Sequence, residues 1–338
     1  MDREINFLNA ATAEQRLENL QILLDREAKK PEVLPEYANN HIHTTFSCSP
    51  YSPTAAVWAA RKAGLATAGI MDHDSIGGAA EFRKAAALAG LGATCGVEMR
   101  ISWKDTPFAG LRINNPDQRG VAYMTFHSIR ARYFAQTADF LKPYRELRNE
   151  RNKKMVLNIR EKTGVDLDFE RDVLPLSEYP NGGSITERHL LFALAKKVLP
   201  DGEEEAQYRL LGQYKSGLIR DIYVEPTEEL MPLDTAIDFA RQIDAILCYP
   251  YLGDVTASPT GDKKAAKFED DYLEELIAFL PEKGIPAVTF MPSRNTEAQL
   301  DRLMGLCRKH GLKQISGEDI NQPSQQPACP VCRPVSPP

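Results

Sequence analysis

Short apolar stretches alternate with helical stretches from residue 40 onward, and this alternation limits the folds open to the chain more than any other feature. The apolar stretches predict strands over residues 40–43, 67–71, 93–97, 121–126, 245–249, 287–290 and 314–315. Helices are predicted over residues 12–29, 53–62, 78–89, 264–279 and 296–310, the second of them opened by a serine N-cap and a proline, Ser52 and Pro53. Such alternation indicates an α/β fold with a mostly parallel sheet, either closed or doubly wound.

The alternation is interrupted between residues 130 and 229, which are polar and mostly helical in pattern. We interpret residues 130–230 as a helical insertion or cap between two parts of one α/β unit, residues 38–129 and 231–322. Residues 1–37 are predicted to be an N-terminal helical segment, in which Thr12 and Gln15 have the spacing of a capping box. Residues 323–338 form a proline-rich tail.

Composition excludes several classes of protein. The net charge of −6 argues against a protein that coats duplex nucleic acid, because such a protein needs a broad basic face. No apolar run approaches the ~20 residues of a membrane span, and the N-terminus lacks the basic start and apolar core of a signal peptide. Six cysteines scattered over 338 residues do not form a disulfide framework. We therefore expect a cytoplasmic protein with no membrane partner.

Lysine and arginine outnumber acids between residues 130 and 162 of the insertion. A polyanion such as an oligonucleotide end could lie along such a segment. A solvated helix face with ion pairs within the helix explains the same composition, and we favour this interpretation.

Side chains that can bind a metal stand at the ends of several predicted strands. His41 and His43 are two residues apart, so both imidazoles of a strand face one side, although two surface histidines by chance are the alternative. Later strands run into further residues of this kind: His73 and Asp74, Glu98, and Asp319. Because sites of parallel α/β folds assemble at C-terminal strand ends, these coincidences together predict a metal site. We expect one of the aspartates at positions 72 and 74 to orient an imidazole.

Four stretches resemble the polymerase-and-histidinol-phosphatase (PHP) domain family in both order and spacing. They are His41-Ile42-His43-Thr44, Ser52-Pro53, Met71-Asp72-His73-Asp74-Ser75 and Gly96-Val97-Glu98. The resemblance is dense over residues 40–98 and returns weakly at 245–252 and 316–321. It implies a distorted (β/α)7 barrel with a mostly helical insertion, divalent metals at its C-terminal face, and hydrolysis of phosphoesters through metal-activated water.

The resemblance also implies three metal positions. The first would be held by His41, His43, Glu98 and Asp319, all of the expected residue types. The second would share the glutamate and add His127 on the fourth strand and a later-strand histidine, which is replaced here by Cys248. The third would use the residues that stand here as Cys48, His73 and Asn321.

Three of these residues are doubtful ligands. Asn321 offers only a neutral amide oxygen, and Cys48 and Cys248 would have to ionise before they could bind a metal. We therefore expect one to two divalent metals, and mixed imidazole and carboxylate ligands suit Mn²⁺, Zn²⁺ or Fe²⁺.

Cationic residues near strand ends are candidates for holding a phosphate. Arg188 and His189 resemble the Arg-x-His motif of phosphate-handling family members, although they are adjacent here. An arginine can bind phosphate through two nitrogens, and a nearby histidine could protonate a leaving oxygen. Lys263, Lys264 and Arg294 follow later strands and could reach the same phosphate, the alternative for each being a solvated charge.

We predict a metal-dependent phosphoric ester hydrolase that acts on a small phosphorylated molecule or on a nucleotide or oligonucleotide end. A second hypothesis is an amidohydrolase-like C–N hydrolase, whose barrels also begin with an HxH pair. Those barrels usually carry a bridging lysine on the fourth strand and histidines on the fifth and sixth, and this chain does not match that pattern. A third hypothesis, motivated by Cys48, Cys248 and Asn321, is a non-catalytic PHP-like ligand-binding protein.

Overall fold

The described part of the chain forms one sheet with helices around it. The computed structural model describes residues 2–27, 31–115, 117–254, 269–322 and 325. Its strands are β1 Leu34–Ile42, β2 Leu65–His73, β3 Gly92–Ser102, β4 Val121–His127, β5 Met231–Pro232, β6 Ile246–Tyr251, β7 Ala287–Phe290 and β8 Lys313–Ser316. The strands predicted from the sequence overlap all of these except the two-residue β5.

The strands follow the order β1-β2-β3-β4-β6-β7-β8, with β5 beside β3, and most neighbouring pairs are parallel. Strand β4 is the exception, because it runs antiparallel to both β3 and β6. A parallel crossover is usually made by a helix, and the described residues between β3 and β4 contain none. The last residue of β4, His127, therefore pairs with Ile246, the first residue of β6. On the other side of β4, Thr125 pairs with Glu98, so His127 lies two residues further along the strand from the level of that glutamate.

Five helices pack around the sheet, and all but the one over Leu233–Gln242 overlap a helix predicted from the sequence. They are α3 Pro53–Lys62, α4 Ala79–Ala89, α9 Leu233–Gln242, α10 Leu273–Lys283 and α11 Glu297–Lys309. The N-cap prediction for α3 is confirmed, since the Ser52 side chain accepts a hydrogen bond from the amide of Ala55. Helix α10 begins later than predicted, and residues 264–268 of that prediction lie outside the described residues.

The N-terminal segment contains two helices, α1 Arg3–Leu8 and α2 Ala13–Arg26, where the sequence pattern predicts one. The Thr12 hydroxyl caps α2 by accepting the amide of Gln15 at 3.3 Å. Helix α1 is too short for its periodicity to stand out in the sequence. None of the helices in the described ranges is both long and apolar enough to cross a membrane.

Residues 134–222 contribute helices α5 Phe134–Thr163, α6 Glu187–Val198, α7 Glu204–Ser216 and α8 Ile219–Ile222. They bury an apolar cluster separate from that of the barrel, built by Met155, Ile159, Leu190, Leu194 and Leu211 among others. The interpretation of the cationic run as a solvated face is wrong for three arginines of α5. Arg145, Arg148 and Arg151 are buried against the barrel, whereas pairs such as Lys142–Glu146 are exposed.

The end of β8 returns to β1 and nearly closes the sheet into a barrel, which confirms the predicted architecture. Ile42 and Ile320 form a parallel bridge in which the amide of His43 donates to the carbonyl of Ile320 at 3.0 Å. The Asn39 side chain donates to the carbonyl of Glu318 at 3.1 Å and accepts its amide at 3.0 Å. These two hydrogen bonds of the Asn39 side chain take the place of backbone hydrogen bonds between strands, and they connect the segment after β8 to β1.

Gly317 allows this close approach, so we expect Gly317→Ala to destabilise the fold. A Cβ there would lie 2.9 Å from the backbone nitrogen of His41 and 3.1 Å from that of Asn40. The clash should lower the free energy of unfolding by about 1–3 kcal/mol, measured by urea denaturation. Gly305→Ala in α11 is the matched control, because a Cβ at Gly305 meets nothing within 4 Å. The control should be neutral or stabilising by up to about 1 kcal/mol, and equal losses in both variants would contradict this role of Gly317.

Candidate metal centre

Strand β1 carries two buried imidazoles into the interior of the barrel. His41 and His43 are two residues apart and so lie on the same face of the strand, with ring centroids 5.1 Å apart. The Nε2 atoms of both rings are buried and make no hydrogen bond to a described residue. Buried polar atoms without hydrogen bonds are rare in folded proteins, so a ligand for these two nitrogens is expected.

Strand β3 brings the carboxylate of Glu98 to these imidazoles. In the parallel pair of β2 and β3, Glu98 is directly opposite His73. Its Oε2 atom lies 3.2 Å from His73 Nδ1, 3.5 Å from His41 Nε2 and 3.6 Å from His43 Nε2. One carboxylate oxygen therefore faces three imidazole nitrogens from two neighbouring strands.

Closure of the barrel adds a second carboxylate. Asp319 follows β8, and its Oδ1 atom lies 3.3 Å from Nε2 of His43. The same oxygen accepts a hydrogen bond from the side-chain amide nitrogen, Nδ2, of Asn321 at 2.7 Å. The hydrogen bond from Asn321 holds this carboxylate toward the imidazoles.

The donor set fits a divalent metal. Candidate ligand atoms of two overlapping groups lie within 4.8 Å of one another: His41, His43 and Asp319, and His43, His73 and Glu98. Nitrogen and oxygen ligands bind Zn²⁺ at about 2.0–2.2 Å, so they lie roughly 3–4 Å from each other around one ion. The distances of 3.2–3.6 Å in this cluster match that spacing.

The buried cluster favours ionised carboxylates and a neutral His73. Burial alone would raise the pKa of Glu98, but His41, His73 and His43 outweigh it and lower that pKa to about 2. Burial lowers the pKa of the His73 imidazole to about 4. Burial opposes protonation of His43 as well, yet Asp319 raises the pKa of that imidazole, so proton and metal would compete for its Nε2.

A hydrogen-bonded relay orients His43. Its Nδ1 atom lies 3.1 Å from Oγ of Ser47, and that hydroxyl donates to Oδ1 of Asp72 at 2.6 Å. Asp72 also accepts the amide and the hydroxyl of Thr44, each at 2.6 Å. Since the hydroxyl proton of Ser47 goes to Asp72, neutral His43 carries its proton on Nδ1. Its Nε2 lone pair then faces Glu98 and Asp319, the orientation that a metal ligand needs.

A cleft of about 960 Å³, its open mouth included, reaches this cluster. His41, His73, Glu98 and Asp319 line it together with three cationic residues, Arg188, Lys215 and Arg294. Its apolar and aromatic lining comes from Tyr123, Pro250, Tyr251, Leu252 and Phe290. Cations, candidate metal ligands and aromatic rings thus share one cleft.

Arg188 lies in the cleft, but His189 does not line it. The Arg188 Nη2 donates to the carbonyl of Asn321 at 2.9 Å, while its Nε and Nη1 are buried and have no nitrogen or oxygen partner among the residues that the structure describes. The buried Nδ1 of His189 accepts the amide of Thr186 at 3.0 Å and so caps α6. Burial lowers the pKa of this imidazole to about 3. Lys263 and Lys264, predicted near the same phosphate, lie outside the described residues.

The sequence profile of the PHP domain matches residues 39–220, more than half of the chain. The chain belongs to the PHP domain family. No curated protein sequence matches it significantly.

Two solved structures share the fold at low sequence identity. One, from Bifidobacterium adolescentis, is provisionally described as a metal-dependent phosphoesterase; it is 20% identical, with a TM-score of 0.60 over 90% of this chain and 95% of its own. The other is an amidohydrolase from Chromobacterium violaceum with bound sulfate and no metal; it is 21% identical, with a TM-score of 0.63 over 88% of this chain and 94% of its own. At these identities the likeness concerns the PHP fold alone.

The side chains implied for the first PHP metal position, His41, His43, Glu98 and Asp319, lie together in the cluster. His73, implied for the third position, instead faces Glu98 and belongs to the same cluster. PHP membership together with this cluster supports divalent metal binding.

The remaining PHP candidates lie outside both groups of converging ligand atoms. His127 is buried, its Nε2 makes no hydrogen bond within the described ranges, and burial lowers the pKa of its imidazole to about 3. Burial raises the pKa of the Cys248 and Cys48 thiols, which keeps both protonated at neutral pH. Asn321 serves Asp319 as a hydrogen-bond donor.

Sequence reasoning missed several residues of this PHP site. Ser47 follows His43 by four residues, within a single 3-10 turn over Thr45–Ser47, and this short spacing was a usable signal. Lys215 and Tyr123 reach the cleft from α7 and β4, far apart in sequence, and no local pattern marks them.

We expect Ser47→Ala to weaken metal binding, because it removes the hydroxyl that links His43 to Asp72. Loss of such an outer partner typically costs 10–100-fold in metal affinity. Electron paramagnetic resonance (EPR) titration with Mn²⁺ measures the change. Thr45→Ala in the same turn is the control, since the Thr45 hydroxyl makes no hydrogen bond to any part of the chain that the structure describes. Equal Mn²⁺ affinity in the two variants would show that the relay does not orient His43.

Proposed function

We propose that the chain is a metal-dependent phosphoesterase that hydrolyses a phosphomonoester or the phosphodiester end of a nucleotide or oligonucleotide. The observation that carries this proposal is the cleft in which Arg188, Lys215 and Arg294 face the candidate metal ligands. The phosphate oxygens of such a substrate would lie between the metal cluster and these cations. The PHP family membership supports the wider class of metal-dependent hydrolases.

Charge explains why the cleft needs both the candidate metal ligands and the cationic residues. The carboxylates of Glu98 and Asp319 would repel a phosphate that approached them directly. Divalent ions held by these carboxylates reverse the local sign, so the overall charge of −6 does not exclude an anionic substrate. A bound divalent ion would also lower the pKa of water and neutralise charge on a phosphoryl oxygen.

The protein side chains would position the substrate. Arg188 has two buried guanidinium nitrogens available, and a guanidinium binds two phosphate oxygens in parallel. Tyr123 and Tyr251 line the cleft with aromatic surface, which would contact the part of the substrate beyond its phosphate and suits an apolar or planar leaving group. The sulfate bound to the Chromobacterium violaceum relative is a tetrahedral oxyanion of the same shape as phosphate.

C–N hydrolysis is the competing reaction, since that relative is described as an amidohydrolase. Strand β4, with the sequence Val-Ala-Tyr-Met-Thr-Phe-His, offers no lysine to bridge two metals. The residues of this chain therefore favour phosphoester over amide hydrolysis.

The first test is turnover by protein loaded separately with Mn²⁺, Zn²⁺ or Fe²⁺ on p-nitrophenyl phosphate, bis-p-nitrophenyl phosphate and short oligonucleotides. We expect Glu98→Gln to lower kcat/KM by roughly 10³-fold, because it removes the charge shared by the metal ligands. Glu275→Gln, on the exposed face of α10, is the control and should retain full activity.

A stoichiometrically loaded, folded protein without phosphoester turnover would overturn the proposal. Turnover of amides or lactones instead would establish the C–N hydrolase. Absence of turnover on the phosphoesters and also on amides and lactones would favour the non-catalytic ligand-binding protein.

Arg188→Met should raise KM and the inhibition constant of inorganic phosphate by roughly 10–100-fold. A hydrogen bond to a charged group contributes about 1.5–3 kcal/mol, and each 1.4 kcal/mol corresponds to a factor of ten. Arg209→Met on the exposed side of α7 is the matched control. Unchanged phosphate inhibition in Arg188→Met would remove this arginine from the substrate site.

A further inference from the structure

A buried network of ion pairs lies between the barrel and the inserted helices. Three guanidinium groups, from Arg100, Arg148 and Arg151, are interleaved with three carboxylates, from Asp74, Glu187 and Glu229. All six residues except Glu187 are less than 9% exposed. The positive and negative charges balance, as burial of so many ions requires.

Two of the three arginines join the inserted segment to the strand beside it. Arg100 on β3 and Arg151 on α5 both pair with Glu187 and Glu229, at distances of 2.6–3.2 Å. Burial alone would raise the pKa of Glu187, but Arg100, Arg148 and Arg151 hold that pKa well below its usual value. These contacts are sufficient to attach the first turn of α6 to the barrel.

Arg148 differs from the other two arginines of the network in reaching an acid next to the metal cluster. Its Nη1 donates to the carboxylate of Asp74, and its Nη2 lies 2.9 Å from Oε2 of Glu187. Asp74 directly follows His73, and Glu187 directly precedes Arg188. One guanidinium thus touches the neighbours of both a candidate metal ligand and a candidate phosphate ligand.

The contact with Arg148 is one of several that hold the turn after β2. Asp74 has a φ of 51°, a left-handed conformation that aspartate adopts more readily than most residues with a side chain. Its amide donates to the carbonyl of Glu98 at 2.9 Å, and Arg145 donates to its carbonyl at 3.2 Å. The side chain of Asp74 has its ion pair with Arg148. Loss of that pair would remove one of these three contacts from the residue next to His73.

We propose that Arg148 is a positioning residue that sets the distance between the group of candidate metal ligands and Arg188, the candidate phosphate ligand. The part of this inference that concerns Arg188 rests on the proposed phosphoesterase function. The part that concerns His73 depends only on metal binding.

The experiment compares Arg148→Met with Arg16→Met in the full-length protein. Arg16 forms a buried ion pair with Glu81 at 2.6 Å, away from the cleft, so both variants lose one buried guanidinium. Mn²⁺ affinity is measured by EPR, and inorganic phosphate affinity of the Mn²⁺-loaded protein by calorimetry. We expect Arg148→Met to weaken both by about 10-fold or more, and Arg16→Met to change neither while lowering Tm. Equal effects of the two variants would overturn the proposal.

Arg148→Lys keeps the charge and tests the bridge if Arg148→Met fails to fold. An ammonium is a point charge and cannot engage two carboxylates in a fixed fork, so Tm should recover while the affinities do not. Full recovery of both affinities would show that charge alone suffices and would overturn the bridging role.

Variants of Asp74 and Glu187 test the contact of Arg148 next to His73 separately from its contact next to Arg188. Asp74→Asn should weaken Mn²⁺ more than phosphate, and Glu187→Gln should weaken phosphate more than Mn²⁺. The reverse order, or equal effects in both, would contradict the assignment. If the unmodified protein binds Mn²⁺ but neither binds phosphate nor cleaves phosphoesters, the proposed function fails together with the Arg188 half. The Mn²⁺ affinity of Arg148→Met still decides the His73 half.

Discussion

The approach of three imidazoles to the carboxylate of Glu98 is the contact on which the rest of the structure depends. The first three strands must lie side by side to make it, and the parallel register of β2 and β3 places His73 directly opposite the glutamate, which lies within β3. A buried carboxylate is costly unless positive or polar groups surround it, so this cluster requires either protons or a metal ion.

Barrel closure supplies what the first three strands lack. The last segment reaches the cluster because Asn39 pairs with the backbone of Glu318 and Gly317 lets the chain pass close to β1. Asp319 is then carried to His43. The inserted helices α6 and α7 add Arg188 and Lys215 to the cleft. A second set of buried charges, which includes Arg148 and Glu187, joins the start of α6 to α5 and to the barrel.

Much of this was accessible from the sequence, since strand alternation and strand ends are local patterns. The HxH pair, His73 and Glu98 were all identified as candidates, and the structure brings them together with Asp319. Other features were not predictable, because they depend on neighbours distant in the chain. Whether arginines such as Arg148 are solvated or buried depends on what packs against α5.

The sequence alone determined where seven of the strands lie in the chain and which residue types stand on or next to them, because backbone propensity and two-residue periodicity are properties of neighbouring residues. Only the tertiary structure decided the direction of β4, which places His127 opposite the first residue of β6. It also decided that His189 caps a helix while Arg188 lines the cleft, although the two are adjacent in sequence. The physical reason is that burial, charge compensation and strand direction are set by contacts between distant segments, and these contacts exist only once the barrel has closed.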